Sequence, residues 1–368
     1  MKILFVVSGT ERVAATRYRV YQYLPFLKSQ GIEYSVFSTT SDFITKLSIR
    51  SPEFNSVKRL IYYFTLYIER FFRFWAIFMM SGRFDIIFLQ RATFPFGLVR
   101  LLAARNKNII FDIDDAIYLA DTPVRGWITR LKAYMKEKEV LDSLKVSQSV
   151  IVENDYIKKY VSKICGKIYK IPGPIDTDRY FVNKSFQKNK NEIILGWIGS
   201  PATTVYLRMW RKVISEILSR FKSVKIVLIG AGNHEFSTDR VIKKEWSYQT
   251  EVGELQKFDI GLMPMPDDEW TRGKLGCKML QYMAVGVPPV VSYTPTNAEL
   301  IRDSENGFLV KTESEWIRRL SSLIEDETLR RKIGESGRRT VEEMCSVRNN
   351  APKLIKIFED QIKNANNN

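Results

Sequence analysis

The chain has 368 residues, with 57 Lys and Arg against 41 Asp and Glu, which gives a formal net charge of +16. This length predicts two domains, each large enough for its own core. The charge predicts an acidic partner such as nucleic acid, an anionic membrane surface or a phosphorylated substrate. A single histidine and three widely spaced cysteines argue against a zinc site, a histidine-based triad and a disulfide framework, and they favour a reducing compartment.

The opening sequence, MKILFVVSG, predicts a buried strand, because its apolar run is too short for a signal peptide. A helix over 16–30 and a second strand over 34–38 are predicted next. This order places Gly9 at the carboxyl edge of a parallel sheet, where doubly wound folds bind ligands. Arg17 and Arg19 begin the helix, either as solvated surface residues or as contacts to a phosphate or an acidic acceptor.

Residues 57–80 are crowded with aromatic side chains, among which Lys and Arg are interspersed. This composition suits a helix that lies at a bilayer interface, where positive charge adds attraction to anionic lipid. The alternative is a helix buried between domains, with its arginine stems along apolar surface. No uncharged apolar run in the sequence reaches the roughly 18 to 20 residues that a membrane span needs.

The strand predicted at 108–112 runs into the acidic sequence DIDD. Its carboxylates allow a divalent metal site or the aspartyl nucleophile of a haloacid-dehalogenase-like phosphatase. In the phosphatase motif, however, Thr or Val stands at the position of Ala116. We therefore favour acceptor binding or helix capping by Asp114 and Asp115, without a metal.

The rest of the chain alternates predicted strands with helices. A polar, Lys- and Asn-rich segment at 186–192 is typical of an interdomain linker. Further strands are predicted at 85–90, 149–154, 167–176, 193–198, 224–229, 260–263, 288–292 and 307–310, and further helices at 127–144, 205–221, 251–258 and 352–363. Glycines repeatedly follow the strands of the second half, as a nucleotide-binding domain requires.

Residues 270–292, WTRGKLGCKMLQYMAVGVPPVVS, form the central stretch of the chain. A basic, glycine-spaced turn runs into a short helix, where backbone N–H groups and the helix dipole can hold an anion. Lys274 adds a charge suited to phosphate. The alternative is an ordinary buried helix with Met279, Leu280 and Met283 in the core.

The KIPGPID turn, the GWIGSP turn and the run from FDIGLMP to AELIRDSENGFLV resemble family 4 glycosyltransferases, which are retaining enzymes of GT-B fold. The resemblance covers most of the chain and is strongest over 193–310. It implies an α/β fold of two Rossmann-like domains that face each other across a cleft. Residues 1–188 would bind the acceptor and 189–345 the nucleotide sugar, and a helix over 346–368 would cross back to the first domain.

The resemblance implies that a sugar moves from a UDP- or GDP-linked donor to a glycan or lipid-linked acceptor. No metal or other cofactor would be needed, because basic side chains and helix N-termini neutralise the diphosphate. The implied setting is bacterial surface polysaccharide or lipopolysaccharide assembly. The protein would then lie in the cytoplasm, with peripheral attachment to the inner face of the membrane through 57–80 as an option. Nucleic-acid binding rests on charge alone and lacks a recognisable motif.

The residue patterns above and the resemblance together lead us to expect particular site residues. The expected catalytic residues are Lys274, Arg272 and Lys278. The expected donor-binding residues are Gly199, Ser200, Thr203, Gly230, Gly232, Trp246, Lys274, Gln281 and Glu299. The expected acceptor-side residues are Gly9, Arg17, Arg19, Asp114 and Asp115.

The sequence departs from the family where a pair of glutamates, eight residues apart, falls on Gly273 and Gln281. Gln281 can still hydrogen-bond a ribose hydroxyl, whereas Gly273 has no side chain for the sugar. The usual Arg and Lys after the first strand of the second domain are replaced by GSPATT, so Lys274 and Lys278 would supply that charge. The alternative is a non-catalytic nucleotide-sugar-binding or scaffolding subunit of a membrane-associated glycan assembly complex.

Overall fold

The computed structural model describes residues 1–50, 56–119, 127–183, 191–233, 236 and 238–366. It divides into two compact units. The first contains Met1–Pro174, Gly273–Leu275 and the chain from Val347 onward, and the second contains Ile175–Arg272 and Gly276–Ser346. The first unit ends at Pro174, before the expected boundary at 188, and most of the expected linker at 186–192 lies outside the described residues.

Each unit is built on a sheet of six parallel strands, in the orders β2-β1-β3-β4-β5-β6 and β12-β11-β10-β7-β8-β9. The strands are β1 (Lys2–Val7), β2 (Glu33–Ser38), β3 (Ile86–Gln90), β4 (Ile109–Ile113), β5 (Ser149–Val152), β6 (Ile168–Lys170), β7 (Ile193–Ile198), β8 (Val224–Ile229), β9 (Val241–Lys244), β10 (Ile260–Met263), β11 (Pro289–Ser292) and β12 (Phe308–Val310). Strands β3, β4, β5, β10 and β11 are buried at every residue, as expected for parallel strands covered on both faces.

Helices connect the strands. They are α1 (Ala14–Arg19), α2 (Leu24–Ser29), α3 (Asp42–Arg50), α4 (Ser56–Ser81), α5 (Leu98–Arg105), α6 (Trp127–Val146), α7 (Asp155–Val161), α8 (Val205–Arg208), α9 (Arg211–Arg220), α10 (Glu251–Gln256), α11 (Glu269–Arg272), α12 (Cys277–Ala284), α13 (Glu313–Glu325), α14 (Glu327–Thr340) and α15 (Val347–Asn366). The helix expected over 16–30 is divided into α1 and α2, with Pro25 in the first turn of α2. Proline suits a first turn but not a helix interior, because it has no backbone N–H.

Helix α15 contributes to the core of the first unit. Its Phe358 ring lies edge-on to Phe5 of β1 and Phe88 of β3, with centroid separations of 6.3 and 5.9 Å. The Ser149 hydroxyl at the start of β5 also donates to the side-chain oxygen of Gln361, at 3.0 Å. The end of the chain therefore completes the layer of helices on the first sheet.

Two strand glycines let aromatic rings lie against the second sheet. A Cβ at Gly196 would come within 2.0 Å of the Phe258 ring, and one at Gly261 within 2.4 Å of the Tyr282 ring. The Tyr282 hydroxyl accepts from the Ile198 N–H and donates to the Leu262 carbonyl, each at 3.1 Å. This side chain of α12 thus links β7 to β10, next to the edge where both strands end.

Candidate functional site

The turns after β7 and β8 touch each other at the carboxyl edge of the second sheet. The Gly199 N–H donates to the Ile229 carbonyl at 3.0 Å, and the Gly230 N–H donates to the Lys244 carbonyl at 2.9 Å. Gly230 has a φ of +70°, and a Cβ there would lie 2.3 Å from the Gly199 carbonyl oxygen. Both the backbone angle and the close approach require glycine at 230.

The turn after β7 is held by its own polar groups. The Thr203 hydroxyl accepts from the Ser200 N–H at 3.2 Å and lies 3.0 Å from the Ser200 carbonyl. The Gly232 N–H donates to the Thr204 hydroxyl at 2.8 Å, which ties this turn to the one after β8. Thr203 therefore shapes the turn, while the Ser200 side chain is exposed.

Trp246 follows β9 and lies beside the Gly230 turn. A Cβ placed on Gly230 would be 3.1 Å from the Cβ of Trp246. Its indole N–H donates to the Glu251 carboxylate, which also accepts from the Tyr180 hydroxyl. Glu251 is buried. Sequence reasoning missed Glu251 and Tyr180, because nothing in their spacing shows that they meet; Glu251 appeared only as an acidic residue at a helix start.

Lys278 and Arg272 differ in how their charge is engaged. The Lys278 ammonium lies 5.1 Å from the centroid of the Trp197 ring. The Arg272 guanidinium instead forms two hydrogen bonds to Asp267, at 2.6 and 3.1 Å. Arg272, expected to neutralise a diphosphate, is therefore already paired, and this pair is solvent-exposed and weak.

Gln281 and Glu299 complete the expected donor residues. Gln281 lies on α12 and is 5% exposed, and its side-chain amide forms no hydrogen bond with any described residue. Glu299 is half-buried at the end of a 3₁₀ turn, Asn297–Glu299, after β11. The Thr296 hydroxyl in the same loop donates to the Arg272 carbonyl, which joins the loops after β10 and β11.

At the carboxyl edge of the first sheet, the structure corrects the expectation that Arg19 and Arg17 face an acceptor. Arg19 is buried and forms an ion pair with Asp112, and it also donates to the Ile171 carbonyl at 2.8 Å. Arg17 is buried as well and donates to two backbone carbonyls of the preceding loop, at 3.0 and 2.9 Å. Both arginines hold the fold of this edge.

Asp114 and Asp115 are paired with Arg91, which follows β3. Nitrogen–oxygen distances are 3.3 Å to Asp114 and 3.0 Å to Asp115. Burial raises the pKa of Asp114 to about 6, against the opposing effect of Arg91. In the part of the chain that the structure describes, no group of three or more His, Cys, Asp or Glu side chains could hold a metal ion.

Gly273 packs in the first unit. Its carbonyl accepts from the Asn154 amide at 3.1 Å, and a Cβ there would lie 2.6 Å from the Ala116 Cβ. The glycine is therefore required by a close approach of backbone to Ala116. Lys274 follows directly and is assigned to the same unit, whereas Arg272 and Lys278 belong to the second.

Comparison with known proteins agrees with this architecture. The family profile described as Glycosyl transferases group 1 matches residues 192–326. EpsD of Bacillus subtilis (strain 168), which is named as a glycosyltransferase, is 24% identical over 287 residues, or 68% of this chain and 73% of that protein.

Two solved structures resemble the whole chain. Sucrose-phosphate synthase from Thermosynechococcus elongatus has a TM-score of 0.70 at 13% identity, covering 98% of this chain and 99% of its own. Anabaena Alr3699/HepE in complex with UDP and glucose has a TM-score of 0.67 at 14% identity, again covering 98% and 99%. The fold is therefore GT-B, residues 192–326 form a glycosyl transferases group 1 domain, and the chain is a glycosyltransferase.

Proposed function

We propose that this glycosyltransferase moves a sugar from a UDP- or GDP-linked donor to a glycan or lipid-linked acceptor, with retention of configuration and without a metal. The proposed setting is bacterial surface polysaccharide or lipopolysaccharide assembly. The relative in Bacillus subtilis supports the bacterial setting. The structural likeness to a protein crystallised with UDP and glucose supports a nucleotide-sugar donor.

The positions of the expected donor residues are the main support for this proposal. Every expected donor residue lies within the matched domain, 192–326, and most of them follow strands at one edge of the second sheet. There, Gln281 offers an amide without a described partner, and Lys278 offers a cation near the start of α12. An amide and an ammonium are the groups that would hold a ribose hydroxyl and a phosphate.

The chemistry proposed for these residues is stabilisation of the departing diphosphate. As the bond between sugar and phosphate breaks, negative charge grows on the leaving group. Lys278, Lys274 and the N–H groups of the turn after β7 would stabilise that charge more strongly than they stabilise the bound donor, which lowers the barrier. Gly273 supplies no side chain to the sugar, so recognition of the sugar would fall to Gln281, Glu299 and neighbouring backbone.

The test compares transfer or donor hydrolysis by wild type, Lys278→Met, Lys274→Met and a matched control, Lys212→Met. Lys212 is exposed on α9 in the second unit, and it is not one of the expected donor residues. Removing a leaving-group cation is expected to lower turnover by about 100-fold, with the control within about twofold. Unchanged donor affinity and turnover in both Lys278→Met and Lys274→Met would contradict the site assignment.

We further propose that α4 attaches the protein peripherally to an anionic membrane. Tyr62, Phe74 and Ile77 face the core and are buried. The opposite face carries large exposed apolar side chains, namely Val57, Leu60, Ile61, Phe64, Ile68, Phe71, Phe72, Trp75 and Met79. Apolar area of this extent on one helix is typical of an interaction surface, and the net charge of +16 favours anionic lipid.

Helix α4 is not the fully buried helix of the alternative interpretation, because only one of its faces is buried. Arg70 and Arg73 do not point to solvent, because they form ion pairs with Glu139 and Glu69 at 3.0 and 2.7 Å. Among the described residues, no helix is long and apolar enough to cross a membrane.

A further inference from the structure

A cavity of about 190 Å³ lies in the first unit, between the inner face of α4 and the turns that follow β1, β2 and β3. Its volume is roughly that of six water molecules in the liquid. Half of the lining residues carry a hydroxyl group, namely Ser8, Thr39, Thr40, Thr45, Ser48, Tyr62 and Thr93. The expected acceptor-side residue Gly9 also lines it.

Three cationic side chains line the same cavity, whereas no Asp or Glu is among the described residues that do so. Arg70 is paired with Glu139, and Arg91 with Asp114 and Asp115, outside the lining. Lys136 of α6 is different. Its ammonium donates to the Thr93 hydroxyl at 3.0 Å, and in the described part of the chain no carboxylate lies within 4.0 Å of it.

The environment of Lys136 opposes its charge. Burial, with the neighbouring Arg70 guanidinium, lowers the pKa of Lys136 to about 8, and Glu139 compensates only in part. A bound anion would reverse this effect, because an opposite charge at hydrogen-bond distance favours the ammonium form.

The backbone at Arg91 supports a functional role for this cavity. Arg91 has a φ of +53°, a left-handed conformation that residues with a side chain rarely adopt. Such strain persists only where surrounding contacts enforce it and is concentrated at functional sites. The guanidinium of Arg91 contacts two carboxylates, and the residue also lines the cavity.

We propose that this cavity binds a phosphate group, with Lys136 as the principal charged contact and Arg70 and Thr39 as further donors. Three cations and seven hydroxyl-bearing residues line the cavity. These provide more polar groups than the two oxygens of a carboxylate use, whereas a phosphate presents oxygens in several directions. The phosphate would be part of the acceptor, and this assignment to the acceptor rests on the proposed function.

The first test is calorimetric titration of the full-length protein with inorganic phosphate at pH 7. The variants are Lys136→Gln, Lys136→Arg and the control Lys132→Gln. Lys132 lies one turn earlier on α6, where it is exposed and donates to the Tyr63 hydroxyl at 2.7 Å. Because a charged hydrogen bond contributes about 1.5 to 3 kcal/mol, Lys136→Gln should weaken binding by about 10- to 100-fold.

The charge-retaining variant Lys136→Arg should bind within about tenfold of wild type, and Lys132→Gln should match wild type. Thermal unfolding of each variant checks that it is folded. Equal affinity in wild type and Lys136→Gln, or no saturable phosphate binding by wild type, would overturn the proposal. If phosphate bound only at the donor site, wild type and Lys136→Gln would bind it with equal affinity.

A second arm identifies the source of the phosphate. Vesicles of phosphatidylcholine with phosphatidic acid, which has a phosphomonoester headgroup, are compared with vesicles containing phosphatidylglycerol at equal charge. A preference for phosphatidic acid that Lys136→Gln abolishes assigns the site to a lipid headgroup. Loss of inorganic phosphate binding without such a preference supports the site and assigns it to a soluble phosphate.

Nucleotide binding separates this inference from the proposed function. Lys136→Gln is expected to bind UDP or GDP as wild type does. A protein that binds phosphate through Lys136 but binds no nucleotide diphosphate would contradict the proposed function while retaining this site.

Discussion

At the scale of single residues, the packing around Gly273 leaves no room for a side chain. Its Cβ position is 2.6 Å from the Ala116 Cβ, so a side chain requires the backbone or Ala116 to move. Gly273→Ala is expected to lower the free energy of unfolding by about 1 to 3 kcal/mol, the usual cost of overpacking. Urea unfolding measures this difference.

Ala116→Gly provides the matched test of that contact. In the double variant the clash is absent, so the loss caused by Gly273→Ala should be largely recovered, with a coupling of about 1 kcal/mol or more. Additive effects of the two substitutions would mean that Ala116 does not limit residue 273.

Asp114 is expected to give the first unit a distinct pH dependence. Its folded pKa is about 6 because it is buried, which is above the value of about 3.9 in an unfolded chain. The stability contributed by its protonation is therefore fully present below about pH 4 and is lost as the pH rises through 6.

Asp114→Asn should remove this dependence. The free energy of unfolding of wild type minus that of the variant should fall by up to about 3 kcal/mol between pH 4 and pH 7. Glu153, whose pKa burial also raises, is present in both proteins, so its effect is largely cancelled in the difference. A difference that stays constant over this range would show that Asp114 titrates normally.

At the scale of elements, the outer face of α4 is the proposed membrane-attachment surface. Phe64 and Phe72 are each 68% exposed on its outer face. An aromatic side chain that leaves water contributes about 1.5 to 3 kcal/mol, so Phe64→Ser with Phe72→Ser should weaken binding to anionic vesicles by at least about tenfold. Vesicle flotation measures this.

Met209→Ser is the control for that experiment. Met209 is 56% exposed in the second unit, so its replacement removes exposed apolar surface without changing α4. Equal vesicle binding by the double variant and by Met209→Ser would mean that α4 is not the attachment surface.

The strands could be predicted from the sequence because their signal is local. Strands β7, β8 and β10 begin and end at the expected residues, since short apolar runs are bounded by glycine and polar residues. The core positions Met279, Leu280 and Met283 are likewise buried as expected.

Contacts between distant parts of the chain could not be predicted in this way. Arg19 finds Asp112, and Gly273 finds Ala116, only after the strands are placed side by side. The cavity around Lys136 depends in the same way on α3, α4 and α6 together. Periodicity shows which face of an element is apolar, but it does not show which polar residue another element will supply.

At the scale of the whole molecule, the account requires a nucleotide-sugar site in the second unit that works without a metal. The expected charge in that unit is Lys278, because Arg272 is already engaged by Asp267 and Lys274 is assigned to the first unit. At the two positions that the family resemblance assigns to the sugar, the chain has a glycine, 273, and a glutamine, 281. Under the proposed function, donor binding rests on the expected cations, the glycine turns and Gln281 together.

The most direct test of the central claim is a thermal-shift screen of the full chain against UDP, GDP, ADP, CMP and dTDP, with magnesium and with EDTA. A ligand at 100 times its Kd adds about 2.7 kcal/mol to stability, which is easily seen as a rise in Tm. The account predicts such a rise with UDP or GDP, of equal size under both conditions. No rise with any of the five nucleotides would contradict it, and a rise only with magnesium would contradict its metal-independent site.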